Sequence, residues 1–285
     1  MGEEMSNIEF IEFSDEEMEM CDIEVDDVQC YYANGIETHN SGQELRLVAN
    51  FSNEPVWLNA FKSGGDIHKS TAYSVWGEEN YDKDKRKMAK GCNFSIIYGA
   101  EAMSFVGDGK TKERPNGMTL AEAEEFFEKY KKGLPTLISY QERLIRSCKQ
   151  RGTVCTYFGR PRRVKYYFEN RQIGFGKRTI LNSPIQGTAG DVLKIVMCKL
   201  WKNMLKLDEY REDVHFKSTV HDEINYGVRS NKLNEIARKL ENLMTFHITE
   251  WQVPLTVEVS FGWSWGNLVT FSWDENKGQY VPKNE

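Results

Sequence analysis

The chain has 285 residues, 40% of them hydrophobic and 12% aromatic, and a formal net charge of −6 at pH 7, which is material for one or two cored domains. No apolar run approaches the ~20 residues of a bilayer-spanning helix, so no membrane partner is expected, and the acidic start lacks the basic-then-apolar form of a signal peptide. The six cysteines (21, 30, 92, 148, 155, 198) include no Cys-x-x-Cys pair, which indicates neither a zinc site nor a disulfide framework and predicts a reducing compartment.

The first segment stands apart in charge. Residues 1–40 carry 13 of the 43 acidic residues and none of the 37 basic ones, a formal −13 that leaves +7 for the remainder. Charge runs are commonly solvated tails. Here, however, Ile8, Phe10, Ile11 and Phe13, then Ile23, Val25, Val28, Tyr31 and Tyr32, alternate in places as strands do. The segment ends Ala33-Asn34-Gly35-Ile36-Glu37-Thr38-His39-Asn40-Ser41. Asn40 has the parts to attack its own carbonyl, His39 to protonate the departing nitrogen, and Ser41 to accept an acyl group. The whole stretch resembles the C-terminal splice junction of an intein. Too short for a complete intein, residues 1–40 resemble the C-terminal half of a split one, with Met1 near the start of a separately coded fragment. The resemblance implies that the half folds on a missing, basic partner and that the mature protein begins at Ser41. Inteins often carry His in the Asp-Ile-Glu-Val-x-x-x-His segment. Gln29 stands there and cannot shuttle a proton at neutral pH, so slow Asn40 cyclisation, or heavier reliance on His39, is expected.

Leu45, Val48 and Ala49 then recur at helical spacing, with Glu44 among them. Further on, Arg86, Lys90, Phe94 and Tyr98 stand four apart. On a helix they form one drifting stripe about 18 Å long, and Gly99 suits its end. Two cations followed by two aromatics make a surface for a nucleoside triphosphate. The stripe alone equally suits an amphipathic helix with a solvated basic end. Gly109-Lys110-Thr111 is not a phosphate-cradling loop, because Ser104 occupies the position of the required first glycine. Gly107–Gly117 reads as a loop. Thr119 then caps a helix carrying Leu120, Ala123, Phe126, Phe127 and Tyr130. Arg178, Asn182 and Gln186 share a helix face. Phe216, Ser218 and Val220, then Ile224, Tyr226 and Val228, read as two alternating strands joined at His221-Asp222-Glu223. Such a turn presents a carboxylate well to a metal, though a solvated acidic turn looks the same.

Taken in order, these segments resemble family A DNA polymerases, the group that includes bacterial DNA polymerase I. Arg-x3-Lys-x3-Phe-x3-Tyr-Gly is similar to the nucleotide-binding fingers helix, Asp66-Ile67-His68 to the segment at the base of the fingers, Arg178-x3-Asn182-x3-Gln186-Gly-Thr to a helix near the active site, and Val220-His-Asp-Glu223 to the palm carboxylate motif. Val257-Glu258-Val259 and its Gly/Trp-rich sequel match the usual end. The resemblance implies that Glu44, His68, Arg86, Lys90, Phe94 and Tyr98 bind the nucleotide, with Glu44 at the ribose gate. It implies that Arg178, Asn182, Gln186 and His221 contact primer–template DNA, that Asp222 is a metal ligand supported by Glu223, and that two Mg²⁺ ions serve phosphoryl transfer from dNTPs. Phe at position 94 implies discrimination against dideoxynucleotides. The family's motif Asp-Tyr-Ser-x-x-Glu-Leu-Arg is matched only from Ser41 to Arg46, so the other catalytic Asp is expected on a separately encoded N-terminal fragment.

The expected fold is α/β (α+β): residues 1–40 a β-rich intein fragment, 41–65 and 173–285 palm, 66–172 mainly helical fingers. The expected location is the cytoplasm of a bacterial cell or phage-infected host. The alternatives are a fragment of a single-subunit phage-type RNA polymerase, which Glu44, Phe94 and Glu223 disfavour, and a catalytically inactive nucleic-acid-binding fragment, against which Asp222, Arg86 and Lys90 argue.

Overall fold

The computed structural model describes residues 19–24, 29–33, 36–40, 42–106, 119–220, 223–263 and 268–283. Three strands come first: β1 (Glu19–Glu24), β2 (Gln29–Ala33) and β3 (Ile36–Asn40). The strand expected around Asp22-Ile-Glu is β1, and Tyr31 and Tyr32 lie in β2. The segment around Phe10–Phe13 lies outside the described residues, as do Ser41, the 107–118 loop, His221 and Asp222. Six helices follow: α1 (Gly42–Ser52), α2 (Pro55–Lys62), α3 (Ile67–Trp76), α4 (Lys83–Ile97), α5 (Leu120–Gly133) and α6 (Pro135–Arg151). A short hairpin, β4 (Thr153–Cys155) and β5 (Pro161–Arg163), leads through α7 (Lys165–Glu169) to the long α8 (Ile173–Leu200). The last elements are β6 (Val214–Val220), β7 (Glu223–Val228), α9 (Leu233–Met244), β8 (Glu258–Gly262), β9 (Val269–Asp274) and β10 (Gln279–Pro282).

Local chemistry explains the helix starts. Pro55 and Pro135 open α2 and α6, where a missing N–H costs nothing. Thr119 and Glu122 form the capping box of α5, at the expected position. Glu54 is 1% exposed and serves two helices: its carboxylate accepts the Val56 amide of α2 and, at 3.1 and 3.0 Å, the Thr136 and Leu137 amides of α6. One buried anion at two positive helix ends ties the start of the helical region to its far side.

A six-stranded sheet runs in the order β10-β9-β8-β1-β7-β6, and β2 pairs with β3 in a separate two-stranded sheet. Helix α9 turns Ile236, Ala237, Leu240 and Met244 inward and packs across β1 and β8. A continuous core runs from Leu45, Leu47 and Val48 of α1 through Trp57, Ile96 and Leu137 to Ile224, Tyr226 and Val228 of β7. The alternation read for the hairpin does not carry into burial. All of Ile224–Val228 is buried, whereas β6 is largely exposed, with Phe216 at 43%. The reason is position, since β7 has a neighbour on each side and β6 is the sheet's edge. No helix among the described residues is long and apolar enough to cross a membrane.

Candidate active site

Arg86, Lys90 and Phe94 lie on α4 and Tyr98 caps its C-terminus, so the four form one half-buried stripe. Asp82 caps the helix by accepting the Lys85 amide at 2.7 Å, and Gly99, at φ +85°, ends it. That φ, and a Cβ that would meet Leu181 Cδ1 at 3.0 Å, require glycine. The close approach seats the end of α4 on α8 beside Arg178.

Asp66 caps α3 through the amides of His68 and Lys69 and pairs with Arg86 Nε. Burial works to raise the Asp66 carboxyl, but the Arg86 and amide hydrogen bonds outweigh it and hold the group below its ordinary range. Anchoring Nε to Asp66 sets the plane of the guanidinium fork. His68 is 4% exposed. Burial lowers its pKa to about 4; Asp66 opposes this, while Arg86 and Lys90 add to it. The ring is therefore neutral at pH 7, with Nδ1 available to accept, and it stands behind Phe94 with ring centroids 6.2 Å apart.

Behind the stripe is a buried polar network that sequence reading did not find. Asn93 Nδ2 lies 3.0 Å from His68 Nδ1 and donates to Thr71 Oγ1 at 3.2 Å. Tyr130 Oη donates to Asn93 Oδ1 at 2.9 Å, Trp57 Nε1 donates to Thr71 Oγ1 at 3.0 Å, and Thr71 donates to the Ile67 carbonyl at 2.9 Å. The network joins α2, α3, α4 and α5. The only signal in the sequence was one polar residue, Asn93, beside Phe94 on an otherwise apolar helix face.

Glu44 lies in the first turn of α1, 9% exposed, and accepts a hydrogen bond from Tyr98 Oη. Residues 54 positions apart thus meet at one end of the stripe. Glu44 is not a freely solvated helix charge.

On α8, Arg178 and Gln186 are exposed and Asn182 is half-buried, and they border two depressions. Arg178 lines a cleft of about 850 Å³ with Gly99, Ala100, Lys177 and Leu181. Asn182 and Gln186 line a smaller depression with Thr156, Arg160 and Arg162 of the β4–β5 hairpin. The hairpin is docked by Arg160, which pairs with Asp191 at 2.9 Å and donates to the Gly187 carbonyl at 3.0 Å, and by the Tyr157 amide, which donates to Thr188 Oγ1 at 2.9 Å. A Cβ at Gly187 would lie 2.5 Å from Thr156 Cγ2, so Gly187 and Thr188 make room for the hairpin and hold it. The basic run Arg160-Pro-Arg-Arg163 was the signal that sequence reading left unused.

The carboxylate turn joins β6 to β7, and Glu223 opens β7 level with Val220. At the other end of the chain, β2 and β3 pair so that Gln29 lies level with Asn40 and Cys30 with His39. The backbone thus brings together the three positions, 29, 39 and 40, on which the self-cleavage reading turns. Strand β3 ends at Asn40 and α1 starts at Gly42.

A sequence model of DNA polymerase family A matches residues 35–267. DNA polymerase I of Lactococcus lactis subsp. lactis is 35% identical over 231 residues, covering 78% of this chain and 25% of that protein. DNA polymerase I of Caldicellulosiruptor bescii is 32% identical over 238 residues, covering 81% and 26%. The chain therefore spans about a quarter of the length of these relatives. The fold is similar to that of the POL domain of Pol1 from M. smegmatis in complex with DNA primer–template and dNTP, at a TM-score of 0.73 and 22% identity over 88% of this chain and 41% of that one.

Proposed function

The chain belongs to DNA polymerase family A, and from that membership we propose that it supplies the nucleotide-binding half of a template-directed DNA polymerase, joined to a separately encoded N-terminal part by splicing at Asn40/Ser41. The observation that carries the polymerase reading is the meeting of Arg86, Lys90, Phe94 and Tyr98 on one helix with Glu44 at its end. Two cations are placed for a triphosphate, an aromatic pair for sugar and base, and a carboxylate for the sugar edge, where it disfavours a 2′-hydroxyl. Asn182, Gln186, Arg178 and His221 would line the primer–template.

Among the described residues no three metal-ligating side chains cluster. By its place in the motif Asp222, which lies outside the described residues, would hold the ions with Glu223 as its acidic neighbour, and the other carboxylate would come from the partner. Mg²⁺ held there supplies charge stabilisation to the phosphoryl group. The primer 3′-hydroxyl gives up its proton to solvent, and its oxygen forms a bond to the α-phosphorus as the bond to the β-phosphate oxygen breaks. Arg86 and Lys90 neutralise the departing pyrophosphate, and Glu44 with Tyr98 holds the sugar in place.

In splicing, Ser41 Oγ attacks the carbonyl carbon that joins the partner's polymerase segment to its intein half, and the bond to the intein half breaks as that leaving group takes up the proton lost from Ser41 Oγ. The Asn40 side-chain nitrogen attacks the Asn40 carbonyl carbon, the bond to the Ser41 nitrogen breaks, and His39 protonates that nitrogen. The freed amine then takes the acyl group from oxygen. The level pairing of Gln29 with Asn40 supports this assignment and the expectation of slow cyclisation.

Mixing the chain with a candidate N-terminal fragment and recording a mass spectrum tests both readings. Ligation with loss of residues 1–40 is expected, and Asn40→Ala should block that loss. The ligated product should extend a primer with dNTPs, and Asp222→Asn should abolish extension. Ligation with no neighbouring fragment, or polymerisation by the unmixed chain, would refute the split reading. Preference for rNTPs would favour the RNA polymerase alternative.

A further inference from the structure

The central slot of the six-stranded sheet is filled by a strand from the acidic leader. Strand β1 pairs antiparallel with β7 on one side, Ile23 level with Ile224, and with β8 on the other, Ile23 level with Val259. In the order β10-β9-β8-β1-β7-β6, β1 alone joins the three-stranded half to the hairpin half. Without a strand there, β7 and β8 would each present a bare edge. The segment that leads directly into α1 does not fill the slot: β3 pairs with β2 in the separate sheet.

We propose that β1 is a placeholder, and that in the joined enzyme this slot is taken by the strand at the C-terminus of the separately encoded partner, the one that brings the second metal-binding carboxylate. The proposal rests on the split-polymerase reading above. Carboxylates on neighbouring strands, which lie about 4.8 Å apart, are spaced to share two ions roughly 3.5–4 Å apart. Asp222 follows β6 and precedes β7 in the chain, where Val220 lies level with Glu223, and one neighbour of β7 is β6 itself, so the open position for a second carboxylate is the strand at its other side. Because β1 runs antiparallel to β7, its C-terminal end lies at the Ile224 end of β7, next to that turn. A partner strand ending just before Ser41 would run the same way and deliver its last residues there. The slot holds one strand, so β1 and the partner strand exclude each other. Beside β1, one polar group of β7 is unsatisfied. Asn225, level with Asp22 and 2% exposed, has its Nδ2 buried with no hydrogen-bond partner. The leader therefore covers two sheet edges until the partner arrives, and keeps the carboxylate site incomplete while it does so, as in strand donation between chains.

The test is strand competition, which requires no catalysis and no intein partner half. The probe is a synthetic peptide of the last ten residues of the N-terminal polymerase fragment, without its intein half, added to the full chain and followed by hydrogen–deuterium exchange. In the chain alone, residues 19–24, 224–228 and 258–262 should be protected together. The peptide should speed exchange at 19–24 at least tenfold and leave 224–228 protected. Ile23→Pro should bind the peptide at least tenfold more tightly than the unaltered chain. Because a proline could disturb the sheet, a second variant pairs Asp22→Cys with Ser260→Cys, which are level in the sheet. It should oxidise readily, refuse the peptide when oxidised and accept it when reduced. Free exchange at 19–24 in the chain alone, failure of that disulfide to form, equal peptide binding by the oxidised and reduced forms, or binding to no form would overturn the proposal. Failure of the polymerase reading would appear separately, as a ligated product that does not extend primers or does so without Asp222.

Discussion

Replacing Asn93 with Leu tests whether the nucleotide face rests on a closed polar network. Asn93 is fully buried, and a side chain with the same heavy-atom branching but no polar atoms removes three contacts: with Tyr130 Oη at 2.9 Å, His68 Nδ1 at 3.0 Å and Thr71 Oγ1 at 3.2 Å. Thr71 keeps the Trp57 indole as donor and the Ile67 carbonyl as acceptor. The group stranded is the Tyr130 hydroxyl. At about 1–3 kcal/mol for a buried unsatisfied group, the loss should be at least roughly 1–3 kcal/mol, a sizeable part of the ~5–15 kcal/mol that holds a domain together. Tyr130→Phe strands only the Asn93 oxygen and should cost about 1–3 kcal/mol. The double variant removes both ends of that bond, so its loss should fall short of the sum by about 0.5–3 kcal/mol. Urea unfolding followed by tryptophan fluorescence measures all three, and Trp57 reports locally. A loss below about 1 kcal/mol for Asn93→Leu, or additivity within roughly 0.5 kcal/mol, would refute the reasoning.

Gly99→Ala should destabilise the chain by about 1–3 kcal/mol, because it adds a strained φ to a contact with Leu181; a thermal melt unchanged from the parent would contradict this. His68 has a folded pKa of about 4, below its ordinary 6.5, so its contribution to stability is full above pH 6.5 and falls away as pH drops through 4. The gap amounts to roughly 3 kcal/mol. His68→Gln should remove that part of the pH dependence in urea midpoints, and identical slopes in parent and variant between pH 6.5 and 4 would exclude it. Tyr98→Phe deletes the hydroxyl held by Glu44 and should lower deoxy-over-ribonucleotide selectivity of the ligated enzyme roughly tenfold, read from paired single-turnover incorporations; an unchanged ratio would remove Tyr98 from the gate. With Phe at 94, dideoxynucleotides should be incorporated less readily than deoxynucleotides, and equal incorporation would count against that reading.

Much of the site was legible because its signals are local. Four-residue spacing put Arg86, Lys90, Phe94 and Tyr98 on one stripe, Gly99 marked its end, and Thr119 its successor's start. These depend on helix geometry within a few turns, which a linear sequence carries. What escaped depends on distant segments meeting. The alternation of the carboxylate hairpin could not show that β7 has a paired strand on each side and is buried throughout while β6 is an exposed edge, because that follows from which distant strands join the sheet. Nothing near Asn93 points to Tyr130, or near Gly187 to the hairpin at Thr156.

The leader marks the same division most sharply. Its charge, its strand pattern and its His39-Asn40-Ser41 ending could be read from residue order alone, because they are chemistry and periodicity. That Gln29 lies level with Asn40, and that β1 lies between β7 and β8, was decided only by the tertiary structure. Backbone hydrogen bonds between strands carry no side-chain identity, so any extended segment can satisfy a sheet edge. Which one does is settled by the strands and helices already packed around the slot.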